Sequence, residues 1–292
     1  MKKKTNLEHS QIANNMMYYI YRYIDSDINI DELSKTLGVS KFHLHRLFKK
    51  QMGSNIYETI KSIRLQKASN LLITNTSSTI TEIANICGYS SQTSFIRAFK
   101  KRFSMTPKFW RRGGYLNYSN QILQSSPTAS LSSANYSHLE PKIIKTQTKK
   151  AYYIRHKGYN PKIKQTWQKM MAWIYTNEIE EYEQIGIYHD NPIVTPLEEC
   201  FYISAIELKE EKNLENTSLP YFEIPAGVYA TFEVSGVYGD ILKLIQWAYH
   251  EWLPKSGFET STHPSYTVFR RNHFLEEDEK FEVVYYLPIC FV

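Results

Sequence analysis

Cysteine is scarce: Cys87, Cys200 and Cys290 are the three in 292 residues, far apart and at no metal-ligand spacing. That excludes a disulfide framework and a thiolate zinc site, and fits the reduced thiols of a cytoplasmic chain. Long apolar runs are also missing, and none approaches the ~20 residues a membrane helix needs. The basic start Met1-Lys2-Lys3-Lys4-Thr5 leads into no apolar stretch, so neither a secretory signal nor a membrane partner is expected. There is no glycine-rich phosphate loop and no nucleophile elbow. His189 and Asp190 are adjacent and precede Asn191-Pro192, which is the chemistry of a turn bonding its own backbone. No third ligand stands at a fitting spacing, so no metal is expected there.

Acidic residues are rare in the first third. Residues 1–112 hold 19 lysines and arginines against 7 acidic residues, a net of +12, while the remainder holds 16 against 22, a net of −6. One part is suited to face a polyanion and the other is not.

That basic third contains a repeat. Ile30-Asp31-Glu32-Leu33-Ser34-Lys35-Thr36-Leu37-Gly38-Val39-Ser40 is echoed by Ile80-Thr81-Glu82-Ile83-Ala84-Asn85-Ile86-Cys87-Gly88-Tyr89-Ser90. Each copy predicts a short helix, a left-handed turn at Gly38 or Gly88, and a second helix. Asp31 and Thr81 are expected to cap the first helices, and Ser40 and Ser90 or Ser91 the second. Residues 56–73 have helical periodicity and suit a linker helix between the copies; residues 11–24 suit a helix covering the first. The fold expected over 8–112 is all-α, two helix-turn-helix units joined by a linker helix.

In the first of the two second helices, Leu44, Leu47 and Phe48 share one face, and Phe42, His45, Arg46 and Lys49 the other. In the second, Phe95, Ala98 and Phe99 face inward, with Gln92, Thr93, Ile96, Arg97 and Lys100 outward. An outward arginine can grip guanine through two bonds, a glutamine adenine, and a ring can pack on a thymine methyl. Lys41, Lys49, Lys50, Lys100 and Lys101 suit phosphates, which add affinity without sequence information. The partner expected is double-stranded DNA.

With the closing run Phe103-Ser104-Met105-Thr106-Pro107-Lys108-Phe109-Trp110-Arg111, residues 8–112 resemble the AraC/XylS family of transcription regulators. The resemblance implies seven helices and two recognition helices entering successive major grooves about one helical turn, ~34 Å, apart. It also implies base contacts from Phe42, His45, Arg46, Gln92, Thr93 and Arg97. The function expected is a regulator acting as an activator, whose effector biases its orientation, its lifetime or its contact with RNA polymerase.

Residues 113–140 open on Gly113-Gly114 and continue rich in Ser, Asn, Gln and Thr, with few charges; a flexible linker is expected. Over 141–292 a second repeat appears: Ala151–Tyr159 matches Tyr229–Tyr238, and each run leads into a helix-like stretch and then strand-like runs near 185–189 with 200–207, or 266–270 with 281–287. An α+β domain is expected, a duplicated strand-helix-strand-strand unit with pseudo-two-fold symmetry. Large rings are dense here, and Trp167, Tyr188, Tyr229, Trp247, Tyr266 and Phe269 are expected to line a cleft for an amphipathic or aromatic small-molecule effector.

Gly186-Ile187-Tyr188-His189-Asp190-Asn191-Pro192 and Glu251-Trp252-Leu253-Pro254-Lys255-Ser256-Gly257-Phe258-Glu259 resemble the GyrI-like small-molecule-binding domain. That resemblance implies an effector cleft between the two halves and, in members that take cations, a buried glutamate in a Tyr-Glu-Val-Tyr-like run. Here the run is Tyr266-Thr267-Val268-Phe269. Two other readings of the acidic part stay open on the sequence: a protein-docking module with an exposed aromatic patch, or an enzyme or sequestering protein for a toxic compound whose DNA binding is autoregulatory. Thr267 in the carboxylate's place counts against hydrolysis, so the expectation is a non-enzymatic regulator without a cofactor.

Overall fold

The computed structural model describes residues 2–210, 214 and 219–291. The chain divides into two compact units, the first made mainly of Met1–Arg112 and the second mainly of residues from Gly113 onward. Among the described residues no helix is long and apolar enough to cross a membrane.

The first unit is helical: α1 (Lys2–Arg22), α2 (Ile30–Thr36), α3 (Lys41–Met52), α4 (Ile56–Thr74), α5 (Ile80–Ile86), α6 (Gln92–Phe103) and the short α7 (Pro107–Phe109). Helix α1 starts well before residue 11, because the polar residues ahead of its apolar stripe continue the same helix. Ser40 and Ser91 cap α3 and α6 through their hydroxyls, which accept the His43 and Ser94 amides. The caps of α2 and α5 are Asn29 and Thr79 rather than Asp31 and Thr81. Both helices begin at an isoleucine, so the expected caps already lie in the first turn. Thr79 and Glu82 form a reciprocal capping box, which satisfies two amides left over at the helix start.

Gly38 and Gly88 take φ of +66° and +73°, a region a Cβ disfavours. The core of the first half joins Ala13, Met16, Met17 and Ile20 of α1 to Leu33 of α2 and Leu44, Leu47 and Phe48 of α3. The second half is a column of rings, Phe95, Phe99, Phe103 and Trp110, with neighbouring centroids 4.5–5.6 Å apart. The Trp110 indole donates to the Ser69 carbonyl at 2.9 Å, anchoring the column to α4.

A π-type turn over Trp110–Gly114 precedes α8 (Tyr115–Gln124) and α9 (Pro127–Leu131). The stretch expected as a flexible linker therefore carries two helices, and they pack within the second unit. Ser119, Ile122, Leu123, Ala129 and Tyr136 are buried. Gln246 donates to Ser119 at 2.7 Å and Asn120 at 2.8 Å, and Ser132 and Tyr136 donate to Asp240. A composition rich in serine and asparagine signals a linker only while those groups bond to water; here many bond to protein.

The rest of the second unit is a nine-stranded sheet with helices. Its strands are β1 (Lys142–Thr146), β2 (Lys149–Lys157), β3 (Tyr182–Tyr188), β4 (Phe201–Leu208), β5 (Tyr221–Ile224), β6 (Gly227–Val237), β7 (Phe258–Thr260), β8 (Ser265–Arg271) and β9 (Lys280–Phe291). Helix α10 (Ile163–Thr176) follows β2; α11 (Asp240–Trp247), a π-type turn over Ala248–Trp252 and α12 (Leu253–Ser256) follow β6. The order is β1-β6-β9-β8-β3-β4-β2-β5, with β7 on β9. The pairings from β1 through β2 are antiparallel. At the centre, Gly186 of β3 lies opposite Thr267 of β8, and Thr267 opposite Tyr285 of β9.

Directly paired residues of an antiparallel sheet point to one face. Trp167 of α10 packs edge-on against Phe269, and Trp247 of α11 against Phe232. Both long helices therefore cover the face that carries Tyr188, Thr267, Phe269, Tyr285 and Phe232. Trp167 is wholly buried, so its loss would cost about 3–5 kcal/mol.

Gly239 secures the 113–140 segment: its φ is +104°, and a Cβ there would sit 2.6 Å from the carbonyl carbon of Thr128. Gly239→Ala is expected to lower unfolding stability by about 2 kcal/mol and to speed proteolysis within 113–140. Urea unfolding with limited proteolysis checks this, and an unchanged cleavage rate would show that the segment is not held there.

Candidate functional site

Helices α3 and α6 are both twelve residues long, and each has an arginine at its sixth position, Arg46 and Arg97. Each is fixed by its apolar face: Leu44, Leu47, Phe48 and Met52 in α3, and Phe95, Phe99 and Phe103 in α6, are buried. The opposite faces are open. Phe42 is 78% exposed, an unusual position for a phenylalanine. Lys41, Arg46, Lys49, Lys50, Gln92, Thr93, Arg97, Lys100 and Lys101 are exposed, while His45 and Ile96 are half-buried.

Several outward groups have neighbours. Lys41 pairs with Asp31 at 3.0 Å, with both side chains largely solvated. Arg46 reaches the His43 ring nitrogen at 3.3 Å, and the His45 ring lies 5.6 Å from that of Tyr57. Among the described residues, no carboxylate pairs with Arg46, Arg97, Lys49, Lys50, Lys100 or Lys101. Two stripes of uncompensated positive charge result.

The two halves are joined by one side chain that sequence reasoning missed. Arg64 of α4 donates to the carbonyls of Ile24 at 2.9 Å, Ser26 at 2.7 Å and Gly88 at 2.9 Å. The first two follow α1; the third is in the turn before α6. A Cβ on Gly88 would lie 2.7 Å from the Arg64 guanidinium carbon, so Gly88 is needed for its contact as well as its φ. Periodicity placed 56–73 in a helix, but no local pattern shows which carbonyls an arginine will find.

In the second unit the six rings expected to line one cleft divide between the two faces of the sheet. Trp167, Tyr188, Phe269 and Trp247 lie on the helix-covered face. Tyr229 and Tyr266 lie on the other, with Tyr286, whose ring stacks on Tyr266 at 4.5 Å. The alternation of strands forces this, since Tyr266 and Phe269 differ by an odd number of residues. Tyr159, Tyr202, Tyr238 and Phe274 join the helix-face set. Trp167 donates to the Tyr202 hydroxyl at 3.3 Å, and the rings of Tyr159 and Tyr238 are parallel to within 2°, with centroids 6.5 Å apart. These two stand at matching points of the second sequence repeat, which was the signal available for them. Most of this set is enclosed, unlike the exposed patch of a docking surface.

Residues 139–289, just over half of the chain, match the GyrI-like small molecule binding domain. The chain belongs to the GyrI-like family. Residues 33–113 match a helix-turn-helix domain. The xylose operon regulatory protein of Escherichia coli K12 is 38% identical over 95 residues, 32% of this chain and 24% of that protein. The right origin-binding protein of the same strain is 32% identical over 106 residues, 36% of each. The TetD protein of transposon Tn10 from Escherichia coli is 34% identical over 104 residues, 36% of this chain and 75% of that protein. The match spans only about a quarter to a third of the first two relatives. The N-terminal part of this GyrI-like chain is an AraC-type helix-turn-helix domain.

At the centre of the GyrI-like domain, Thr267 is wholly buried and its hydroxyl donates to the Gly186 carbonyl at 3.2 Å. A small neutral side chain closes the position where the resemblance leads one to look for a carboxylate. Asp190 accepts the Phe201 amide at 2.9 Å, and Asn191 the Ile193 amide at 3.2 Å, so these side chains tie down a turn.

Arg64→Ala is expected to destabilise the first unit by about 2–3 kcal/mol, since it strips charged donors from three carbonyls. Urea unfolding reads the loss, and hydrogen exchange should quicken around both 24–26 and 86–90. Quickening on one side alone would contradict the joining role.

Proposed function

We propose that the chain is a ligand-responsive, sequence-specific transcription regulator acting in the cytoplasm. The reading is carried by one observation: two exposed guanidiniums, Arg46 and Arg97, stand at the same position of two equal helices whose opposite faces are packed. In this reading Arg46 and Arg97 read base edges, with Phe42 and His45 beside the first and Gln92 and Thr93 beside the second. Lys41, Lys49, Lys50, Lys100 and Lys101 hold phosphates, and Lys41 leaves Asp31 to do so. Screening makes that exchange inexpensive at the surface.

The second unit is read as two strand-helix-strand-strand copies, β2-α10-β3-β4 and β6-α11-β8-β9, meeting where β3 pairs with β8. The sheet order, which runs outward through β4 and β2 on one side and β9 and β6 on the other, supports that reading. The rings between this sheet and its helices form the effector site, and an amphipathic compound bound there governs the regulator as an activator in contact with RNA polymerase. Enclosed rings suit an organic ligand through apolar burial.

Selection from random duplex DNA by the full chain tests this. Two short blocks about one helical turn apart are expected, with affinity falling steeply with salt. Arg46→Ala and Arg97→Ala should each cost about 1–3 kcal/mol and relax one block only. Removing Lys49 or Lys100 should weaken all sequences alike and reduce the salt slope by about one. No enriched sequence, with and without effector, would reject base reading.

A further inference from the structure

The helix-face ring cluster contains a polar side chain that has no structural task. His273, between β8 and β9, is 4% exposed. Rings enclose it: Phe274 at 4.0 Å, Tyr238 and Phe281 at 5.4 Å, and Phe269 at 5.8 Å between centroids. Neither ring nitrogen meets a hydrogen-bond partner among the described residues. Burial lowers its pKa to about 3, so at neutral pH it carries one N–H and one bare lone pair.

Buried polar groups are almost always satisfied, because an unmet one loses its water for nothing. Packing alone would be served better by phenylalanine. A group entering the cluster with its own hydrogen-bonding atom would recover that loss.

The surroundings also decide the charge of such a guest. Tyr238 connects His273 to Tyr159, and Phe269 connects it to Trp167, and all of these side chains are neutral. Thr267 is neutral as well. Two carboxylates border the cluster: Glu279, which after burial raises the Tyr238 hydroxyl's pKa and is exposed to water, and Asp240 beside Phe281, whose oxygens already accept from the Ser132 hydroxyl and the Val237 amide. A cation placed among these rings would gain their faces but would lose its hydration with no buried counter-charge, and the second effect is the larger.

We propose that this domain selects a neutral, planar aromatic ligand bearing a hydrogen-bonding group, with His273 as its polar anchor. The proposal rests on the small-molecule reading above and narrows it to a class that excludes organic cations.

The test uses the full chain and three probes of one size: 2-naphthol, naphthalene and the permanent cation N-methylquinolinium, each titrated by calorimetry or equilibrium dialysis. 2-Naphthol is expected to bind at least about ten-fold tighter than the cation. His273→Phe should weaken 2-naphthol about ten-fold and leave naphthalene unchanged, and His273→Gln should restore part of the difference. A cation bound as tightly as 2-naphthol would overturn the proposal and leave small-molecule binding standing. Equal losses for 2-naphthol and naphthalene would likewise reduce His273 to packing. If none of the three binds, the proposal of a planar aromatic ligand fails and the small-molecule reading stands apart from it. Should His273→Phe not fold, the ranking of the probes on the natural chain still decides.

Discussion

The guanidinium of Arg64 is the joint on which the first unit's geometry turns. A helix-turn-helix motif needs only its own small core to fold, and two of them in one chain would be free to tilt. Three bonds of 2.7–2.9 Å from one planar group to Ile24, Ser26 and Gly88 remove that freedom. A lysine, with one compact charge, could not satisfy three carbonyls in a fork. The column from Phe95 to Trp110, tied to Ser69, holds α6 to the same linker helix. What the solvent sees is therefore a pair of basic faces in one fixed relation.

The second unit solves a different problem. Its central strands are buried on both faces, and the side with the helices is filled by rings and small neutral groups. Gly186 is obligatory there: a Cβ would lie 2.9 Å from both Phe269 and Thr267. Close packing at that point leaves no room for a charged group, and His273 buries two ring nitrogens that bond to nothing among the described residues. Selectivity for neutral guests then follows from desolvation, without any repulsive residue.

Much of this was legible in the sequence. The repeat shows both glycine turns and the Ser40 cap, and narrows the other cap to Ser90 or Ser91, of which the structure uses Ser91, because capping and left-handed turns depend on residues next to one another. The outward faces of α3 and α6 were legible through helical period. Asn29 and Thr79 are the caps because each helix begins at its isoleucine, Ile30 or Ile80, which puts Asp31 and Thr81 inside the first turn. Helices α8 and α9 are not legible because the partners of this segment are distant in sequence: Gln246 and His250 bond Ser119 of α8, and Asp240 bonds Ser132 just after α9. Strand alternation alone separates Tyr266 from Phe269, whereas placing Tyr229 with Tyr266 and Tyr188 with Phe269 takes the register of pairing. Arg64 and His273 were invisible for the same reason, since one acts by reaching distant carbonyls and the other by finding no partner.

The central claim is that two base-reading helices are held at one fixed separation. The most direct measurement is affinity for the selected duplex after insertion of half a helical turn, about five base pairs, between its two blocks. A rigid pair predicts that binding falls to the level of a duplex carrying one block, and that Arg64→Ala narrows the gap between the two duplexes. Undiminished affinity for the lengthened site in the natural chain would contradict it.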